Sequence, residues 1–283
     1  MSNLPNQVAL VSESTSVGFN DLSAAAAALQ KQASRDFGPI WSVNATVDAF
    51  DKLESVPVDY WPVILKDDIK EPGAAGYHTD ENGQPFALVQ VDDGWTLTAS
   101  HETLEMLADP HGNRTIAGPP PTHSPAPANK FKRVLYLVEV ADPCEGDQFA
   151  YEINGIKVSD FLTPNYYDHK GSNGVRYSFT GAIASPHTVL EAGYVSFGNP
   201  VDNEWYQIVV EDGKTQLRKL GKLNREGRSL RETIDAHVRH IQKDRYYRTA
   251  RPTAARAAAA GTSGISESSE ARAKTLRQLI AKL

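Results

Sequence analysis

The chain has one cysteine, Cys144, in 283 residues. A single thiol cannot close an internal disulfide, so the fold must rest on a packed core, and a reducing compartment is expected. Nor is there a window approaching about 18 uninterrupted apolar residues, the length a membrane-crossing helix needs. The opening stretch, MSNLPNQVALVSESTS, has no basic run followed by an apolar one, so no ordinary secretory signal is expected. Phosphate-binding glycine loops, dinucleotide fingerprints and fixed-period repeats are missing too. What remains is a globular composition, 40% hydrophobic and 23% charged, expected in the cytoplasm or in a virus particle.

Charge is unevenly spread. The formal net charge is -6, yet residues 214–256 hold 13 Lys/Arg against 4 Asp/Glu, so an acidic body precedes a basic end. Such a basic segment meets nucleic acid in some proteins, but the acidic body is a nearer partner. Intramolecular docking or a protein partner therefore ranks above nucleic acid.

Patterning divides the chain into elements. Asn20 is the expected cap of an alanine-rich helix, DLSAAAAALQKQASRDF, which Gly38-Pro39 should end. Trp61-Pro62-Val63-Ile64-Leu65 reads as a strand, EPGAAGYHTDENGQP as a loop, and PFALVQVDD as an edge strand leading through Gly94-Trp95 into a helix. The proline-rich TIAGPPPTHSPAPANK reads as a surface connection. Strands follow at FKRVLYLVEV, VRYSFTGAI, GYVSFGN and EWYQIVVEDGKTQLRKL, with tight turns at Asn154-Gly155 and Asp212-Gly213. Ser229 and Glu232 have capping-box spacing ahead of a stripe of Leu230, Ile234, Val238 and Ile241. A patternless linker precedes a last helix aligning Leu276, Leu279, Ile280 and Leu283. Thirteen residues of helix are marginal alone, so this one needs a surface, in this chain or another.

The chemistry is concentrated in TASHETLEMLADPHGNR, residues 98–114. With Thr98 as cap, His101 and Glu105 stand one turn apart on a common face, because positions i and i+4 differ by about 40° around the axis. Both can hold one ion, and Glu102 points beside it, where a general base accepts a proton from water. Leu104, Leu107 and Ala108 face away, toward a sheet. The ordinary alternative is a solvated helix face on which Glu102, Glu105 and Asp109 only add charge.

HETLE resembles the active-site helix of the zincin metallopeptidases, standing where they have HExxH. The longer HETLEMLADP is similar to a group of bacterial and phage proteins, mostly of unassigned function, whose helix ends in aspartate-proline. That similarity extends through VEVADPCEGDQFAYEINGIKVSDFLTPNYYD and covers residues 71–200. The resemblance implies an α+β, zincin-like fold, with a mixed sheet and active-site helix. It also implies bound zinc, with Mn2+ or Ca2+ as harder substitutes once Glu105 replaces an imidazole. Asp109 ranks first as third ligand, because the similar proteins share aspartate-proline; Glu145 and His111 follow, and Glu139 is a further downstream acid. Pro110 should end the helix near Ala108 and turn the chain there.

Other positions are rivals for secondary roles. Tyr77 and His78, in the loop ahead of the edge strand, are candidates to stabilise an oxyanion, with Tyr166 and Tyr167 as alternatives. Asp142, Glu145 and Asp147 form an acidic loop that offers oxygens to calcium, though a solvated turn is the commoner case. Cys144 has no base beside it in the sequence and reads as structural. Arg231, Arg239, Lys243, Arg245 and Arg248, with Tyr246-Tyr247, combine charge and stacking surface, but an outward helix face explains them first.

The expected organisation is a zincin-like α+β core over 1–125, a β-rich continuation over 126–222, a basic helix over 223–248, a linker over 249–268 and a docking helix over 269–283. Two functions compete. One is metal-dependent hydrolysis of a protein or peptide substrate. The other is a silent virion or assembly component that self-associates or grips a protein partner through 269–283.

Overall fold

A computed structural model describes residues 4–71, 73–122, 131–242 and 267–281. The protein is α+β and divides into two compact units interleaved along the chain. The first comprises Met1–Leu107, Glu152–Val158 and Gln242–Leu283; the second comprises Ala108–Tyr151 and Ser159–Ile241. The first boundary thus falls near residue 107 rather than 125, and the first unit gathers two segments that sequence order had assigned elsewhere. Among the described residues no helix is long and apolar enough to cross a membrane.

The first unit is built on a five-stranded sheet. Strands β1 (Asn6–Ser12), β2 (Ala45–Phe50), β3 (Trp61–Lys66), β4 (Gly76–Glu81) and β5 (Gln84–Gln90) lie in the order β2-β1-β3-β5-β4. The first four of that order run parallel, and β4 pairs antiparallel with β5 at the edge. Parallel strands covered on both faces need continuous apolar runs, as Val8 to Val11, Val63 to Leu65 and Phe86 to Val89 supply. This corrects two expectations. The edge strand is β4, not the PFALVQ segment, and Tyr77 and His78 sit on that strand rather than in a loop. Asn82 and Gly83, at φ 52° and 79°, form the tight turn that folds β4 back on β5.

Helix α1 (Phe19–Lys31) starts after Gly18, which is extended and makes no side-chain cap, so Asn20 is not the cap. It runs on as a π-helical segment, Gln32–Phe37, into the short α2 (Gly38–Trp41), continuing past Gly38-Pro39. A Cβ at residue 38 would lie 2.6 Å from the Val43 carbonyl oxygen, so glycine is what permits the close return of the chain. Helix α3 (Trp95–Ala108) follows β5 and begins three residues before Thr98. The hairpin of β8 (Tyr151–Ile153) and β9 (Ile156–Val158) turns at Asn154-Gly155 as expected.

The second unit carries an antiparallel sheet. Its strands are β6 (Thr115–Gly118), β7 (Val134–Leu137), β10 (Tyr194–Asn199), β11 (Glu204–Glu211) and β12 (Lys214–Lys222), in the order β12-β11-β10-β7-β6. The start of the proline-rich connection is therefore a strand, while residues 123–130 lie outside the described ones. VRYSFTGAI forms only an isolated bridge, Leu162 to Ser178, instead of a strand. The buried Asp160 carboxylate accepts hydrogen bonds from the backbone N–H groups of Phe161 and Thr180 and from the Thr180 hydroxyl, and so satisfies donors a ladder would have used.

Helix α4 (Leu230–Gln242) opens with the expected capping box: Glu232 N–H donates to Ser229 Oγ at 3.0 Å, and Ser229 N–H to Glu232 Oε2 at 2.8 Å. Leu230 and Ile234 pack with Leu137 and Trp205. The side chains of Arg239 and Ile241, and residues 243–266 with the tyrosine pair and most of the linker, lie outside the described residues. Helix α5 (Glu267–Ile280) returns to the first unit, where Ala273, Leu276 and Ile280 join a core with Ala9, Val11, Ile64, Phe86 and Leu88.

Candidate metal centre

Helix α3 brings three of the predicted residues together. His101 Nε2 lies 3.3 Å from Glu105 Oε1 across one turn. The side chains of Glu102 and Glu105 are 4% and 0% exposed, so the ordinary reading of this face as solvated is overturned. Burying two carboxylates costs several kcal/mol each unless positive charge or hydrogen bonds meet them. Ser100, also on α3, donates to Gln32 Oε1 at 2.7 Å and ties this helix to the π-helical segment.

The fourth member comes from the sheet. His78 on β4 is buried, with Nδ1 3.4 Å from Glu102 Oε2 and 3.9 Å from Glu105 Oε2. Donor atoms of His78, Glu102 and Glu105 all lie within 4.8 Å of one another, a grouping able to hold a cation. Each of the two acids thus faces an imidazole from a second element. Gly76 makes this approach possible: a Cβ there would lie 2.7 Å from Thr98 Cγ2 and 3.0 Å from Glu102 Cγ and Oε1. Sequence reading missed Gly76, although a glycine two residues before a histidine on a strand is a signal for close backbone approach.

Asp109 and His111 take part in other contacts. Helix α3 ends at Ala108, as Pro110 predicts, but Asp109 Oδ2 accepts the Arg114 N–H at 2.6 Å and closes the following turn. His111 is exposed, and its carbonyl accepts from Asn113 Nδ2. Among the described residues, neither Asp109 nor His111 belongs to a group of three donors close enough to share a cation. Tyr77 shares the strand with His78, packs at the margin of the first unit's core, and is partly buried.

Glu145 belongs to the second unit, where its carboxylate and that of Asp142 lie near the Tyr194 hydroxyl; burial first, then Asp142, pushes that phenol well above its usual range. Glu139, in the same unit, pairs with Arg231 at 3.1 Å, both nearly sealed from solvent. Tyr166 and Tyr167 belong to an aromatic cluster with Tyr136 and His187. Tyr166 is fully buried there, its hydroxyl also pushed well above the usual range by burial. Cys144 is buried, in keeping with its structural reading.

Compared with protein families, curated proteins and solved structures, the chain matches none. The functional reading therefore rests on the residues themselves.

Proposed function

We infer that the protein is a metal-dependent hydrolase of peptide or amide bonds built on a zincin-like first unit, with His101 and Glu105 holding the ion and Glu102 as general base. The observation that carries this reading is the buried convergence of Glu102 and Glu105 on imidazoles from α3 and β4. A parallel sheet with one antiparallel edge strand, followed by the helix that bears HETLE, also supports it.

The donor set fits a borderline metal. Imidazole nitrogen with carboxylate oxygen suits zinc, or manganese, whereas calcium takes oxygens alone. Such an ion, when bound, supplies Lewis-acid polarisation of the scissile carbonyl and acidifies water. The protein's own part is positional. Glu102 is held with Oε2 3.4 Å from His78 Nδ1 and is buried, which fixes its carboxylate in place beside the ion-holding pair. Glu105 brings negative charge where a second imidazole would be neutral, which offsets part of the acidification and favours a slower enzyme.

Glu102→Gln is the test. It preserves size and leaves both ion-holding side chains intact, so zinc content and circular dichroism should stay unchanged. Hydrolysis of a quenched-fluorescence peptide library should fall about 10²–10⁴-fold, the usual contribution of a positioned acid-base group. An unaltered rate removes Glu102 from the mechanism. The competing assembly reading assigns α5 to a partner, but Ala273, Leu276 and Ile280 are already buried in this chain, so a partner would have to displace them.

A further inference from the structure

The reading above gives an ion to His101 and Glu105 and leaves His78 outside it. We propose that His78, Glu102 and Glu105 form a second divalent-cation site within the first unit, and that an ion there takes the general base Glu102 out of service. The site stands on its own three donors; its effect on hydrolysis rests on the metal-dependent reading.

Each of the three offers one donor atom, and these atoms lie within 4.8 Å of one another. His78 Nδ1 is 3.4 Å from Glu102 Oε2 and 3.9 Å from Glu105 Oε2. A direct charged N–H···O contact closes to about 2.7–2.9 Å. Two ligands about 2.0–2.2 Å from one zinc stand about 3.3 Å apart at the tetrahedral angle, and further as it opens. The observed spacing is that of ligands flanking an ion. Glu105 can serve both sites, because Oε1 faces His101 Nε2 at 3.3 Å whereas Oε2 faces His78. One imidazole with two carboxylates suits zinc or manganese.

The backbone builds the site. His78 lies in the middle of a strand paired residue for residue with β5, opposite Ala87, and its side chain is 0% exposed. A donor fixed by a strand ladder loses little freedom on binding, unlike one in a loop. A Cβ at residue 76 would lie 3.0 Å from Glu102 Oε1, so Gly76 lets that oxygen rest against β4 while Oε2 turns to His78. Charge then ranks the two sites. One divalent ion offsets the two sealed carboxylates, whereas a second brings a net charge of about +2 into the same buried place. The second ion therefore binds more weakly and fills its site only when metal is in excess, and removing the first ion should tighten it.

The test titrates the full-length protein, stripped with chelator, with zinc alone in a calorimeter. The wild type should take up two equivalents, and His78→Ala only the tighter one. His101→Ala should keep one equivalent, bound about tenfold or more tighter than the second of the wild type. Circular dichroism checks each fold, and His78→Gln repeats the test should alanine unfold the unit. Peptide hydrolysis by the wild type should rise through the first equivalent and fall through the second. A single equivalent that His101→Ala abolishes, or a second that survives in both His78 variants, overturns the site and leaves the hydrolase reading in place. A rate that stays level through the second equivalent overturns the withdrawal of Glu102. A single equivalent kept by His101→Ala and lost with His78 leaves the site standing and removes His101 from the hydrolase reading. No zinc uptake by the wild type removes both.

Discussion

Gly76 decides how closely β4 can approach α3, and so whether His78 and Glu102 meet. Adding a methyl group would bring it to 2.7 Å from Thr98 Cγ2 and 3.0 Å from Glu102 Oε1. Gly76→Ala should therefore destabilise the protein by about 1–3 kcal/mol through overpacking and lower both zinc affinity and hydrolysis. Thr98→Ser removes the clashing methyl, and in the double variant it should restore part of the urea midpoint but little of the activity, because Glu102 remains displaced. Full recovery of both would show that Glu102 tolerates the shift. Half of this site was legible in the sequence: helical periodicity alone aligns His101 with Glu105 and sets Glu102 beside them. His78 was noticed only as an oxyanion candidate in a loop. Its meeting with Glu102 and Glu105 depends on a strand edge packing against a helix, which no local pattern encodes. The burial of both glutamates was illegible for the same reason.

Helix α5 was expected to need a surface, and the sheet of the first unit provides it. Besides its three core residues, Arg272 donates to the carbonyls of Pro57, at 2.6 Å, and Tyr60. Arg277 reaches Glu13 at 2.6 Å and also Glu54, whose carboxyl it holds below the ordinary range. Apolar burial should dominate the docking. Leu276→Ala is expected to cost about 2–5 kcal/mol, and Arg277→Ala no more than about 1 kcal/mol, since its pairs are partly open to solvent. Chemical denaturation of the two variants checks the order; a larger loss for Arg277→Ala would make the ion pairs the main attachment. Other elements were legible unevenly. Asn82-Gly83 announced a turn, yet the strand before it was masked by polar residues on an edge, where one side of the ladder is unpaired. VRYSFTGAI had the composition of a strand, but Asp160 captures donors such a strand would have used.

At the scale of the molecule, acid reaches the second unit through a histidine in its core. Burial holds the His187 imidazole of the second unit below its ordinary pKa, with a backbone contact at Tyr167 pulling weakly the other way. The unfolded chain, with the ordinary value of 6.5, then binds a proton before the folded one does. Its contribution is complete above about pH 6.5 and is lost as pH falls from there toward the lowered value. His187→Asn, which tolerates the φ of 59° at this position, should flatten that part of the stability curve, followed by near-ultraviolet dichroism of the tyrosine cluster. An unchanged slope would assign the acid sensitivity to another group. The interleaving of the units was not legible, since hydrophobic pattern marks elements but not which sheet a returning segment joins.

That interleaving sets an order of events on the ribosome. Every segment of the second unit has been synthesised once residue 241 is added, whereas the core of the first unit waits for Ala273, Leu276 and Ile280. The unit whose translation starts first is therefore completed last. Until those residues are made the nascent sheet leaves Ile64, Phe86 and Leu88 without their final cover, so the unit that holds His78, Glu102 and Glu105 completes its core after the unit whose segments it flanks.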